Sequence, residues 1–227
     1  VKFVGAGQGP KALVAEWISG EIGRVLGLPI PELVFITLDE TLSRSEPDPE
    51  IQDLLQNSIG LNLGMAYLPQ AFAFNLLLKP PPDSSLASKI VWFDAFITNV
   101  DRTASNVNLL IWQEQLWLID HGASLYFHHN WGDHIERSQT PFALIKDHTL
   151  LSFADALKEA NQTLSRQLNE TIFRQIVMDL PDVWLENETD FPNLDAHRQA
   201  YIDYLTHRLT AAPIFVEEAQ RARRRLV

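Results

Sequence analysis

NVDRTASNVNLLIWQEQLWLIDHG, residues 99–122, is the stretch on which the fold turns. Asp101 is followed five positions later by Asn106. Two short apolar runs come next, residues 107–112 and 115–119, divided by Gln113-Glu114, and they predict a β-hairpin. The second run delivers Asp120, then His121 and Gly122. A hairpin returns the chain to its starting point, so the oxygens of Asp101, Asn106 and Asp120 are expected to converge. That set suits phosphoryl transfer from a nucleotide. One carboxylate accepts or orients the proton of an attacking hydroxyl, one oxygen ligand holds Mg²⁺, and a second carboxylate bridges metal at the β- and γ-phosphates. In this assignment Asp101 is the base or orienting group, Asn106 and Asp120 are metal ligands, and Gly122 permits a backbone turn after the ligand. Each part alone has a plainer meaning. Asp-x4-Asn also makes Asx-turns and helix caps, and Asp120 could be a polar strand end. The ordered combination points to chemistry: apolar helix, Asp-Arg, Asn at its offset, two strands, Asp-x-Gly.

Working outward, residues 1–4 read as the end of a strand carrying Lys2. Pro10 opens a helix, where its missing N–H costs nothing. Leu13, Val14, Trp17, Ile18, Ile22, Val25 and Leu26 give that helix one apolar face. Glu16 lies beside this face and can look into a cleft. Gly27, Pro29 and Pro31 stop the helix. Residues 33–38, LVFITL, predict a strand. Residues 43–57, with Pro47 and Pro49, read as a loop with room for a short helix. A strand is expected at residues 65–68, a connector near Pro69, and a rigid turn or linker at KPPPDSS, residues 79–85. Residues 86–98 predict a helix. Beyond His148 helices are expected over roughly residues 151–160, 164–178, 195–209 and 214–225. A strand-rich first third and a helical last third argue for an α+β chain of two lobes, residues 1–70 and 71–227, instead of an alternating parallel sheet.

The 227 residues fit one large domain or two lobes of one. A 46% hydrophobic content supports a packed core and excludes a disordered chain. Zero cysteines exclude disulfides and thiolate metal sites, in keeping with a cytoplasmic protein. The net charge of -11 argues against broad nucleic-acid binding. No apolar run approaches the roughly 18 residues of a membrane span, and no signal peptide is visible. The lack of an initiating Met suggests that the sequence continues upstream. Arg221, Arg223, Arg224 and Arg225 read as a solvated helix end, with cations near the negative pole of the dipole.

Residues 99–106 together with 118–122 resemble the catalytic and metal-binding segments of HipA-like kinases, bacterial Ser/Thr-type kinases with a two-lobed protein-kinase-like fold. The likeness is read over roughly residues 1–131. It implies that Lys2 pairs with Glu16 and contacts the phosphates of ATP. It also implies that adenine sits against the connector at Tyr67, Leu68 and Ala71, that Mg²⁺ is the cofactor, and that the acceptor is a protein hydroxyl. Thr103 departs from the family, whose better-known members have histidine after Asp-Arg, and this indicates a divergent branch. A kinase glycine-rich loop should precede the lysine strand. Here Gly5-Ala6-Gly7-Gln8-Gly9 follows it, read as a flexible turn feeding the helix in preference to a phosphate cover. Lys11 is expected in solvent, with phosphate as the alternative. His121, His128, His129 and His134 beside Asp133 suggest either an imidazole–metal site or a polar substrate loop, and the adjacency of His128 and His129 favours the loop. Trp112, Trp117, Tyr126, Phe127 and Trp131 read as core or cleft wall, since no basic residues interleave with them as base stacking requires. Two rival functions share these residues: a nucleotide-binding regulator without transfer, and an aminoglycoside-type small-molecule phosphotransferase. Oligomeric state and acceptor identity are not readable from the residues.

Overall fold

Pro10 starts α1 (Pro10–Val25), whose Leu13, Val14, Ile18 and Ile22 are fully buried. Gly27 ends the helix in the left-handed conformation, φ 69°, and the Leu28 N–H then reaches the Gly23 carbonyl (2.9 Å). The chain enters β1 (Leu33–Leu38) and then α2 (Glu40–Ser45) and α3 (Pro49–Gln56). The expected loop is therefore largely helical. Asp39 caps α2, and Asp48 caps α3 by accepting from Glu50 N and Ile51 N. Pro49 sits in the first turn of α3, where proline promotes a helix.

β2 (Gly60–Met65) pairs antiparallel with β1, from Leu33↔Met65 to Leu38↔Gly60. The strand expected at 65–68 thus ends where it was meant to begin. Its two glycines and buried asparagine disguise it. A Cβ on Gly64 would lie 2.3 Å from Ile36 Cδ1, so the β1 side chains use the room that glycine leaves. Asn62 bonds Val4 N (2.8 Å) and the carbonyls of Ser58 and Gly60. Lys2 pairs with Leu63 on the other side of β2 through two backbone bonds of 2.7 and 3.2 Å.

A computed structural model describes residues 1–77 and 80–227, so Lys79 of the expected linker lies outside the described residues. β3 (Phe72–Ala73) precedes α4 (Ser84–Phe96), which Asp83 caps through Leu86 N (2.7 Å). β3 then pairs with β4 (Leu109–Trp112), and β4 with β5 (Gln115–Leu118). Gln113 and Glu114 are both left-handed (φ 50° and 62°), the two-residue turn whose twist matches a hairpin.

The second lobe is helical around α4. It comprises α5 (His134–Ser138), α6 (Leu157–Leu164), α7 (Glu170–Met178), α8 (Leu194–Thr210) and α9 (Ala212–Arg223). Two long expected helices are split. Residues 151–160 divide into a 3₁₀ turn, Leu151–Phe153, and α6. Residues 164–178 break at extended Leu168 and Asn169, where the Asn169 side chain caps α7 instead of continuing a helix. α6 and α9 pack on α4, where Phe96 stacks between Trp92 and Phe173 and Phe215 meets Trp92 edge-on. The result is a mixed α+β, two-lobed, kinase-like fold. Among the described residues no helix is long and apolar enough to cross a membrane.

Candidate active site

The bridge to Leu63 places Lys2 beside β2, on the side away from β1, and its side chain reaches α1. Its ammonium donates to Glu16 Oε2 and to Asp120 Oδ1, both at 2.6 Å. Glu16 is buried and also accepts from the His121 backbone N–H (2.7 Å) and meets His121 Nδ1 at 3.1 Å. Burial pushes the Glu16 carboxyl up, but His121 and then Lys2 outweigh it and hold the group at about 2. Burial likewise pulls Lys2 down, yet the two carboxylates more than reverse this and raise it.

Gly122 has a different role from the one its motif suggests. The left-handed turn is made by Asp120 (φ 55°), not by Gly122. What glycine supplies is space: a Cβ at 122 would lie 2.5 Å from Lys2 Nζ. Thr98, Asn108 and Leu125 are also left-handed (φ 53°, 48° and 52°), so four unfavourable backbone positions flank the site.

Asp101 and Asn106 meet directly, Asn106 Nδ2 donating to Asp101 Oδ2 at 2.7 Å. Asn108 then joins Ile119 at the base of the hairpin through Ile119 N–H to Asn108 O (3.2 Å). Asn106 stands two residues before that base and Asp120 one residue after it. The Arg102 guanidinium ties the base together, donating from Nη1 to the carbonyls of Asn108 and Ile119. Among the described residues no hydrogen bond joins Asp101 or Asn106 to Asp120 itself.

Three residues holding this loop escaped the sequence reading. Asp94 of α4 is fully buried and accepts from Arg102 Nε (2.6 Å), His148 Nε2 (2.8 Å) and Asn99 Nδ2 (3.0 Å). Burial pushes its carboxyl up, but Arg102 and His148 hold it far below the carboxylate range. Asn99 passes the link on, its Oδ1 accepting from the Asp101 N–H at 3.0 Å. A lone carboxylate within the apolar helix, eight residues before Arg102, was the available signal. His148 carried none, since it contacts the loop only through the tertiary fold.

A cleft of about 470 Å³ opens beside the ion cluster. Lys2, Glu16 and Asp120 form its polar end, and Leu33, Leu63, Met65 and Leu110 its apolar walls. Tyr67, Leu68 and Ala71 of the connector also line it. Asp101 and Asn106 do not, lying beyond the hairpin base. The remaining candidates go elsewhere. Lys11 is not free in solvent: it donates to the His128 carbonyl (2.6 Å) and pairs with Glu188 (2.9 Å). His128 meets the Tyr201 hydroxyl (3.0 Å) and His134 the Trp131 carbonyl (2.6 Å), so the histidines face different partners. Among the described residues no three His, Cys, Asp or Glu side chains could hold a metal alone. Trp131 and Phe127 are buried in the core, and Trp112 donates to the Pro69 carbonyl (3.0 Å).

A family model of HipA-like kinases matches residues 1–212. The chain belongs to the HipA-like kinase family. The match continues through α8, well past the 131 residues over which the motif resemblance was read. It supports a kinase-type phosphotransferase. The crystal structure of the Helicobacter pylori proinflammatory kinase CtkA is similar with a TM-score of 0.56 at 13% identity, over 100% of this chain and 90% of that one. At that identity the likeness bears on the fold. No curated protein sequence matches this HipA-like kinase.

Proposed function

We propose that this HipA-like kinase transfers the γ-phosphoryl group of ATP to a serine or threonine hydroxyl of a protein, with Mg²⁺ as cofactor. The observation that carries the reading is the Lys2 ammonium, held by Glu16 and Asp120 at the polar end of an apolar cleft. An adenine suits the walls near Tyr67, Leu68 and Ala71, and the α- and β-phosphates suit Lys2. Phosphate oxygens replace Asp120 on the ammonium, which releases the Asp120 carboxylate. Glu16 stays, because its second partner, His121, holds it. Asp101 orients the acceptor hydroxyl so that its oxygen approaches the γ-phosphorus in line with the departing ADP oxygen. The hydroxyl proton passes to Asp101 as the new P–O bond forms.

The residues present fit Mg²⁺. Asn106 uses its amide N–H on Asp101, leaving its carbonyl oxygen available, and Asp120 uses only one oxygen on Lys2. One or two protein oxygens plus phosphates is how Mg²⁺ is normally held, and it needs no all-protein cage. Asp101, Asp120 and Glu16 outnumber Lys2, so the site is net negative and a bare triphosphate would be repelled. Asn106 and Asp120 would hold Mg²⁺, which would supply positive charge against the phosphate oxygens. A cytoplasmic location, where ATP is available, is in keeping with this reading.

Asp101→Asn tests the assignment. Transfer from ATP should fall about 10²- to 10⁴-fold while ATP–Mg affinity by calorimetry is retained. Mass spectrometry should find phosphate on protein serine or threonine. Phosphate only on added aminoglycoside would favour the small-molecule reading, and tight ATP binding without turnover would favour the regulator. A folded protein that binds neither ATP nor Mg²⁺ would defeat all three.

A further inference from the structure

The buried cluster under the loop does more than fill space. Asp94, Asn99, Arg102 and His148 are all buried, and three of them converge on the one Asp94 carboxylate. The chain at 148–149 also crosses the loop by its backbone: Thr103 bridges to His148, and Thr149 N–H donates to the Arg102 carbonyl (3.1 Å). The imidazole is oriented from both sides. The Leu150 N–H donates to Nδ1 at 3.0 Å, so the ring proton sits on Nε2 and is given to Asp94 Oδ2. A fixed ring thus fixes Oδ2, and with it the carboxylate plane. The same carboxylate aims the Asn99 amide, whose oxygen holds the Asp101 N–H.

We infer that His148 is a positioning residue for Asp101, acting through Asp94 and Asn99, in the phosphotransfer proposed above. It touches no reacting atom. Its effect is on where the Asp101 carboxylate points, and so on the chemical step, with nucleotide binding at Lys2 left alone.

Asparagine and glutamine at 148 separate the two ends of the ring. His148→Asn keeps an oxygen for the Leu150 N–H but cannot reach Asp94. His148→Gln can place its amide nitrogen where Nε2 lies. His148→Asn should lower kcat about 10- to 100-fold, the cost of a misplaced group on the order of 1 Å, with KM for ATP changed less than about twofold. His148→Gln should recover most of the loss. Amide hydrogen exchange gives a readout independent of turnover: Asp101 N–H exchange should rise about tenfold in His148→Asn, with exchange in α8 unchanged. Should His148→Asn fail to fold, Asn99→Ala cuts the same relay one bond later and should show the same kcat loss. Equal losses in the Asn and Gln variants, or a KM rise matching the kcat loss, would overturn the inference. An unmutated protein without transfer would sink the phosphotransfer reading alone, and unchanged Asp101 exchange in both His148→Asn and Asn99→Ala would then still sink the positioning role.

Discussion

Replacing Gly122 by alanine would move the Lys2 ammonium without changing Lys2 itself. The Gly122 backbone lies outside the left-handed region, so alanine meets no conformational penalty there. The added Cβ would stand 2.5 Å from Lys2 Nζ, and the ammonium must retreat by about 0.9 Å to reach an ordinary 3.4 Å contact. Both of its bonds are 2.6 Å, so a retreat of that size is expected to weaken at least one of them. A flexible lysine can make that move, so the fold should survive with a loss of about 1 kcal/mol, the scale of one hydrogen bond. The chemistry should suffer more. An ammonium about 1 Å out of place costs on the order of 10²-fold in rate, or about 2.7 kcal/mol of barrier. The assay is steady-state transfer from radiolabelled ATP, with urea denaturation in parallel. A Lys2→Met variant and the double variant complete a cycle. If Gly122 acts through Lys2, the double variant should be no slower than Lys2→Met alone. Losses that multiply, or a Gly122→Ala enzyme with unchanged kinetics, would refute the steric argument.

Acid should expose the Glu16 contribution. Its folded value of about 2 lies below the ordinary 4.5, so the stability it contributes is complete above pH 4.5 and lost as pH falls toward 2, roughly 3 kcal/mol in all. Urea midpoints between pH 6 and 2 should therefore fall less steeply in Glu16→Gln, which starts lower at pH 6; parallel slopes would contradict the assignment. Arg208 is the second test of the fold. Buried, and with no carboxylate partner among the described residues, it donates to the carbonyls of Ala95 (2.7 Å), Phe96 (3.4 Å), Ser138 (3.1 Å) and Thr140 (2.5 Å), and burial lowers its pKa. Arg208→Met should cost about 3 kcal/mol or more in denaturation, and Arg208→Lys should not restore it, because one ammonium cannot span four acceptors.

What was legible in the sequence is what local rules control. Pro10 and Gly27 bracket α1, LVFITL is β1 residue for residue, and the hairpin between Asn106 and Asp120 follows from two apolar runs around a turn. The pairing of Lys2 with Glu16 was readable only through the family resemblance, since nothing local in the residues between them sets their distance. Where the sequence misled, a tertiary contact overrode the local signal. Gly64 looks like a strand breaker until the β1 side chains that occupy its missing Cβ are known. Pro49 looks like a loop until Asp48 is seen capping α3. Lys11 looks solvated until Glu188, brought from the far end of the chain, meets it. His148 and Asp94, separated by 54 residues, show the same limit from the other side. Asp94 offers only a lone carboxylate in an apolar helix and His148 offers no local pattern, and their pairing exists only once the 148–150 segment crosses the loop.

The first lobe leans on the second. Two paired strands and one bridged residue make a small sheet that depends on the helix packed against it. That helix is in turn held from the other lobe. Trp17 Nε1 donates to the Ile176 carbonyl of α7 (3.1 Å), and Lys11 pairs with Glu188. Ser19 meets Ser124 just past the Asp-His-Gly turn (2.6 Å). Trp184 reaches back to the Leu61 carbonyl of β2 at 3.1 Å. Glu16 therefore takes its position from second-lobe residues on both sides of it, and Lys2 takes its position from Glu16. In such an arrangement the lysine–glutamate pair is fixed by the same packing that folds the protein. What remains free to change is the half-exposed Asp120 carboxylate, bonded to Lys2 through one oxygen. Under the proposed function, the step that readies the site would be the transfer of one ammonium bond from Asp120 to phosphate, with α1 staying where it is.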